Sequence, residues 1–140
     1  MNNSLELIEL LKTNYEIKIH QHDALHTVED SRKLRGEIDG AHSKNLFLKN
    51  KKNEFFLLSC EEVNKIELKK ISKSLGMGNV SFAKKEYLNH YLKIQPGSVS
   101  PFALLNDEDG QVDFYLEQTL YESKFVNFHP LINTLTVTIE

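Results

Sequence analysis

The sequence predicts one α/β (α+β) domain built on a mixed, mostly antiparallel, barrel-like β-sheet flanked by helices. Three observations lead there. Short helical and strand periodicities interleave without a strict β-α-β rhythm, so a purely parallel sheet is not expected. Polar turns such as Lys49-Asn-Lys-Lys-Asn53 join apolar runs, as antiparallel hairpins require. No repeat, linker or low-complexity stretch divides the 140 residues, so a single domain over 1–140 with a proper core is expected.

Each element has a local cause. Residues 4–13 read as a helix, with Ser4 a candidate N-cap and Leu5, Leu7, Ile8 and Leu11 at helical spacing. Residues 15–20 alternate as a strand, with Tyr15, Ile17 and Ile19 on one face. A second helix is expected from Thr27, where Thr-Val-Glu-Asp approximates a capping box, and it ends by Gly36. Leu46-Phe-Leu48 and Glu54-Phe-Phe-Leu-Leu-Ser59 make the clearest hairpin. Residues 67–75 form a short amphipathic helix with Leu68, Ile71 and Leu75 inward, closed by Gly76 and Gly78. Residues 80–82 are a short strand, and 84–92 a helix with Tyr87, Leu88 and Tyr91 at helical spacing. Gln95-Pro-Gly-Ser-Val-Ser-Pro101 must be irregular, because its two prolines remove donors and fix φ, and Gly97 permits close backbone approach. Residues 102–105 and 112–116 read as a second hairpin turned by Asn106-Asp-Glu-Asp-Gly110. Residues 125–128 and 135–139 are the last strands.

Composition narrows the function. A hydrophobic content of 40% and a charged content of 26% are ordinary for a soluble globular protein. No apolar run approaches bilayer length, and the N-terminus lacks a basic region followed by an apolar stretch, so a cytoplasmic protein without membrane partners is expected. The one cysteine, Cys60, cannot form an internal disulfide and suits a reducing compartment. Glu61 and Glu62 follow it and argue against an activated thiol. A net charge of −3 excludes a large sequence-independent grip on nucleic acid. Two lysine groups, Lys49, Lys51 and Lys52 in one turn and Lys69, Lys70 and Lys73 on one helix, read either as solvated faces or as phosphate contacts.

Familiar catalytic signatures are missing. There is no GxxxxGK[ST], GxGxxG, GxSxG or HExxH, and a single cysteine gives no Cys/His zinc set. His20, His22 and His26 lie close in sequence without an obvious third ligand on one face, so neither a metal nor a cofactor is expected. Three segments instead have the texture of a site: Gly40-Ala-His-Ser-Lys-Asn-Leu-Phe-Leu48, Gly97-Ser-Val-Ser-Pro-Phe-Ala103 and Asn127-Phe-His-Pro-Leu-Ile-Asn-Thr134. Each mixes small residues, a few polar groups and flanking apolar ones. Lys44 opens an apolar strand beside a small-residue loop, and by itself reads equally as a solvated flank or a site cation. The glycine loop can aim backbone N–H groups at a developing oxyanion, or be only a tight turn. Pro130 holds the backbone of His129 extended.

In order and spacing these segments resemble the YbaK-like family of aminoacyl-tRNA deacylases. The resemblance spans roughly residues 19–139 and is nearest to the prolyl-tRNA editing branch, which removes alanine wrongly attached to proline tRNA. It implies the family's barrel-like fold and a hydrolase acting on the aminoacyl ester. Lys44 stands at the position of the family's site lysine, and Asn45 follows it as in the prolyl branch, with its side chain on the opposite strand face by alternation. The resemblance implies that Lys44 orients the ester or terminal phosphate, and that backbone N–H groups near Gly97 and Ser98 hold the carbonyl. It leaves His129 to line the pocket, bind substrate or shuttle a proton. His42, Asn45, Pro101, Asn133 and Thr134 would shape the substrate pocket, with Phe47, Phe102 and Phe128 narrowing it to reject proline. The partners implied are alanine-charged proline tRNA and prolyl-tRNA synthetase, and the two lysine groups become candidate tRNA contacts.

Two features depart from the family pattern. His22-Asp-Ala-Leu25 replaces a proline-containing run, which bears on recognition of the tRNA end. Relatives also usually carry a further helix beyond the position of Glu140. Two alternatives stand beside the editing reading: a non-catalytic module that binds aminoacyl-tRNA or a synthetase, and a deacylase for another small residue such as cysteine or serine.

Overall fold

The computed structural model describes residues 4–24, 30, 33 and 38–140. The chain opens with helix α1 (Ser4–Asn14), which lays Leu7 and Leu11 against Val137. Strand β1 (Ile17–Gln21) follows. The helix expected between Thr27 and Gly36 lies outside the described residues, apart from Asp30 and Lys33. Then come β2 (Ala41–Asn50) and β3 (Phe55–Glu61), the expected hairpin, joined by an exposed polar turn. Helix α2 (Leu68–Leu75) ends at Gly76, whose φ of 68° lets its N–H return to Lys73 and close the last turn. β4 (Val80–Phe82) is short, and α3 (Lys85–Tyr87) widens into a π-turn over Leu88–Leu92. The C-terminal part supplies β5 (Val112–Leu116), α4 (Gln118–Glu122), β6 (Val126–Phe128) and β7 (Leu135–Ile139).

The strands form one mixed sheet in the order β1-β7-β6-β2-β3-β5, with β4 also on β2, and the path does not close. Pairing is antiparallel except for β2 with β6 and β3 with β5. The β2–β3 hairpin is covered on both faces. Phe47, Phe55 and Leu57 pack on Leu88, Leu92 and Ile94 on one side. Leu48 and Phe56 pack on Met77, with Leu68 of α2, on the other. That double burial is why the β3 sequence is apolar almost without alternation.

Three expectations need correction. Residues 102–105 are not a strand: Pro101–Asn106 is a 3-10 helix. Pro101 sits in its first turn and Ser100 Oγ accepts the Phe102 N–H at 3.2 Å, so the local sequence is a helix start rather than a strand edge. β5 therefore has no hairpin partner before it. Its entry is fixed by Asp107, whose carboxylate accepts from the N–H groups of Gln111 and Val112, and it pairs parallel with β3. Leu75, expected inward, is 41% exposed because α2 turns away at Gly76 and Met77 fills the core instead. Tyr15 and Ile19 are also exposed, so Ile17 alone of that trio reaches the α1–β7 cluster.

Candidate active site

The site arises where β2 changes partners. Its first residues pair with β6, through Ala41 with Val126 and His42 with Asn127. Its last residues pair with β4, from Leu48 onward. Between them, on that side, β2 has no strand neighbour among the described residues. The Ala41 N–H bonds the Phe125 carbonyl and the Phe47 carbonyl accepts from Ala83, so odd-numbered peptide groups point this way. Asn45 thus turns its peptide N–H toward the gap. A cavity of about 230 Å³ lies there.

Tight local packing builds its walls. Gly40 has φ +99°, and a Cβ there would meet Asn127 Nδ2 at 3.0 Å and Phe125 at 3.1 Å. Asn127 is buried and crosslinks the strands: its Nδ2 donates to the carbonyls of Asp39 and Ala41, and its Oδ1 accepts from Thr138. A second chain runs across three strands. Ser59 donates to Asn45 Oδ1, Asn45 Nδ2 donates to Ser43 Oγ at 3.2 Å, and Ser43 donates to the Asn127 carbonyl at 2.9 Å. Asn45 is thereby locked, on the strand face opposite Lys44 as alternation requires.

Lys44 is half-buried and donates its ammonium to the Asn64 carbonyl. The turn carrying Asn64 is itself held by Glu117. One carboxylate oxygen of Glu117 accepts the Glu61 N–H at 2.9 Å, Asn64 Nδ2 at 3.0 Å and the Thr119 hydroxyl at 2.7 Å. Burial alone would raise the Glu117 pKa, but these hydrogen bonds and the Lys44 charge hold it below the usual value. Cys60 is fully buried and its pKa is pushed up to about 11 by burial, so it is an inert thiol.

His129 donates Nδ1–H to the Leu135 carbonyl at 2.9 Å, which leaves Nε2 as a lone-pair acceptor in the neutral ring. Its pKa is lowered, chiefly by burial and further by His22 and His42; the Leu135 carbonyl and Glu62 oppose the shift. The His22 ring lies 6.0 Å away and pairs with Thr136 Oγ1 at 2.8 Å. His42 is buried and bonds the Ile38 carbonyl through Nε2.

Of the residues expected at the site, Lys44, Gly97, His129, His42, Asn45 and Phe128 line the cavity. Others stand behind it or away. The Ser98 N–H donates to the Gln95 carbonyl at 3.1 Å, closing the turn, and Ser98 is buried there and is not among the residues that line the cavity. Gly97, with φ +90°, presents the loop to the cavity, and Asn133 packs against it. Phe47 belongs to the core, stacked on Phe55, rather than to the wall. Phe102 meets Phe128 edge-to-face at 5.8 Å and supports it from behind. Pro101 starts the 3-10 helix, and the Thr134 carbonyl accepts the His22 N–H. Sequence reasoning gave no role to Ser43, Glu62, Val99, Asn127 and Thr136, which also line the cavity. Ser43, Val99 and Asn127 sat inside the singled-out segments; nothing local marks Glu62 and Thr136.

The lysine groups lie elsewhere. Lys51 and Lys52 are exposed at the far end of the hairpin, roughly 20 Å from Lys44 at about 3.3 Å per residue. Lys49 reaches over the Tyr87 ring at 5.9 Å. Lys69, Lys70 and Lys73 are exposed on α2, with Lys70 paired to Glu67. Among the described residues, no helix is long and apolar enough to cross a membrane.

Residues 22–140 match the family model described as an aminoacyl-tRNA editing domain. The chain is 35% identical over 133 residues to a prolyl-tRNA editing protein, ProX, of Acetoanaerobium sticklandii, covering 94% of this chain and 80% of that one. It is 36% identical to a bovine (Bos taurus) prolyl-tRNA synthetase associated domain-containing protein, covering 86% of this chain and 72% of that one. A solved structure provisionally assigned as a trans-editing enzyme for prolyl-tRNA synthetase superposes with a TM-score of 0.72 over 99% of this chain and 87% of that one, at 18% identity, a likeness of fold.

Proposed function

Because the chain belongs to the aminoacyl-tRNA editing domain family, we propose that it is a trans-acting deacylase that hydrolyses alanine from mischarged proline tRNA. The observation that carries this reading is the cavity in the β2 gap, bordered by Lys44, Gly97 and His129. An aminoacyl ester is already activated, so positioning and oxyanion stabilisation suffice without a protein nucleophile. In this reading water attacks the ester carbonyl carbon, and the Gly97 N–H receives the developing oxyanion. The water proton passes to His129 Nε2 or to the neighbouring ribose hydroxyl. Collapse breaks the bond to the ribose oxygen, which takes up a proton, and free alanine and tRNA leave. Lys44, on its strand end, would meet the terminal phosphate.

Selection follows from size. Missing methylenes are worth only about 1–3 kcal/mol each to a synthetase, so a second site that admits alanine and excludes proline adds the missing discrimination. Phe128, backed by Phe102, is the wall suited to that exclusion. The exposed lysines on the hairpin turn and α2 are candidate contacts for the tRNA body, and prolyl-tRNA synthetase is the candidate source of substrate. A single buried thiol fits work in the cytoplasm. The test is hydrolysis of alanine- and proline-charged proline tRNA by the native chain and Lys44→Ala. Loss of alanine only, abolished by Lys44→Ala, is expected. No hydrolysis of either ester would sink the editing assignment and favour a binding module.

A further inference from the structure

Among the described residues, β2 leaves one rung of its outer ladder open, and the cavity sits at that rung. Toward β6 the Ala41 N–H bonds the Phe125 carbonyl at 3.0 Å, and toward β4 the Phe47 carbonyl accepts the Ala83 N–H at 2.9 Å. Even-numbered residues face β3 instead: the His42 carbonyl accepts the Glu62 N–H. Ser43, next after the β6 pairing, bonds the Asn127 carbonyl through its hydroxyl. Asn45 is the odd-numbered residue between Ser43 and Phe47, and it lines the cavity. In an extended strand one residue turns its N–H and its C=O to the same side, so Asn45 presents a donor and an acceptor there. Both are held in place. Asn45 lies opposite Ser59 of β3, and its side chain is tied to Ser59 and Ser43.

An aminoacyl ester is a single amino-acid residue, and its α-nitrogen and carbonyl fall on one edge when it is extended. It is therefore the complement of one open rung. Resting on the deacylase reading above, we propose that the aminoacyl group docks on β2 as a one-residue strand paired with Asn45. This is strand addition reduced to its smallest unit. The Asn45 N–H donates to the ester carbonyl oxygen, as a second oxyanion donor beside Gly97, and the Asn45 C=O accepts from the α-ammonium. As water adds to the carbonyl carbon, the carbonyl π pair moves to the oxygen, on which the N–H is already aligned. Collapse restores the double bond and expels the ribose oxygen. The rung also favours alanine. Proline carries a ring carbon on its nitrogen where the pairing hydrogen would point, so it cannot complete the rung in the same way.

The experiment removes the Asn45 N–H alone, by placing the α-hydroxy acid analogue of asparagine at position 45. The same exchange at Phe47, beyond the gap where β4 pairs, is the control for a weakened ladder. Rates are corrected for the folded fraction by circular dichroism. The exchange at 45 is expected to lower kcat on alanyl proline tRNA by about a hundredfold, the range for a lost oxyanion donor, and the exchange at 47 to leave kcat nearly unchanged. The native chain is expected to prefer the alanyl ester over the propionyl ester, which lacks the nitrogen, by roughly tenfold beyond their ratio in hydroxide-catalysed hydrolysis. A measurement on the native chain needs no variant: proline tRNA carrying alanine through a non-hydrolysable 3′-amide should slow hydrogen exchange of the Asn45 amide. Equal losses at 45 and 47, or Asn45 exchange unchanged in that complex, would overturn the proposal. A preference no greater than in free solution would overturn the ammonium contact and with it the paired strand. If the native chain hydrolyses neither ester, the deacylase reading falls and this inference falls with it. Hydrolysis that is indifferent to the Asn45 N–H removes the rung alone.

Discussion

Replacing Gly40 with alanine tests whether the first wall of the cavity is built as described. At φ +99° an alanine leaves the region open to L-residues, a strain of about 1–3 kcal/mol. Its Cβ would also stand 3.0 Å from Asn127 Nδ2 and 3.1 Å from both the Cβ and the carbonyl oxygen of Phe125. Neither neighbour yields easily. The amide is held by the Asp39 and Ala41 carbonyls, and the Phe125 carbonyl accepts the Ala41 N–H. Overpacking of this kind costs about 1–3 kcal/mol more. The sum is about 2–6 kcal/mol, or a Tm lowered by roughly 10 °C or more for a chain of this size. Urea unfolding followed by circular dichroism measures it. Gly110→Ala is the control: φ is +63° and nothing lies within 4 Å of the added Cβ, so only about 1 kcal/mol is expected. If Gly40→Ala is no worse than Gly110→Ala, the close approach of β2 and β6 does not constrain the site. Deacylation should fall further than stability, because the displaced Asn127 lines the cavity.

Two further outcomes follow from titration. Burial first, then His22 and His42, lowers the His129 pKa, so its neutral ring persists to more acid pH than usual. The rate of deacylation should therefore hold near pH 7 and decline only below the ordinary histidine value of about 6.5. This acid limb should vanish in His129→Asn, whose residual activity is set elsewhere. The unfolded state binds more protons here than the folded one, so this group's contribution to stability is present above about pH 6.5 and is lost as pH falls through the folded pKa. Glu117, with its pKa lowered, behaves analogously one step further into acid: its contribution is present above the unfolded value of 4.5 and is lost as pH falls through the folded pKa. Glu117→Gln should cost about 1 kcal/mol at pH 7 by urea unfolding, with the gap to the native chain closing in acid. It should also slow deacylation, because Glu117 holds the turn whose carbonyl anchors Lys44.

How much of this was legible beforehand depends on the range of the forces involved. The β2–β3 hairpin is local, a polar turn between apolar runs, and the sequence shows it directly. The Ser100-Pro101 helix start is equally local, yet the apolar run after it imitates a strand; its cap chemistry decides the outcome. Lys44, Gly97 and His129 were legible as members of three segments, and the structure brings them to one cavity. The Ser59-Asn45-Ser43 chain was not legible, because it exists only through the register that sets Asn45 opposite Ser59. Glu62 was hidden for the same reason. In sequence it is a charge beside a cysteine, and only the end of β3 opposite His42 makes it part of the rim.

That register also explains why a cavity opens at this point of β2. A strand with neighbours on both sides spends all its peptide groups on the ladder. β2 has β3 on one side throughout, but β6 and β4 only at its two ends on the other. The stretch between them keeps peptide groups directed outward and held rigid by the β3 ladder. Peptide groups fixed in this way form a rigid wall facing the Gly97 loop, to which the deacylase reading assigns the oxyanion donor. The small residues around the gap follow from the same geometry. Gly40 lets β6 start close to β2, and Gly97 lets the facing loop approach. The polar ring of Lys44, Glu62 and His129 then occupies the edge of a space that the fold had already left open.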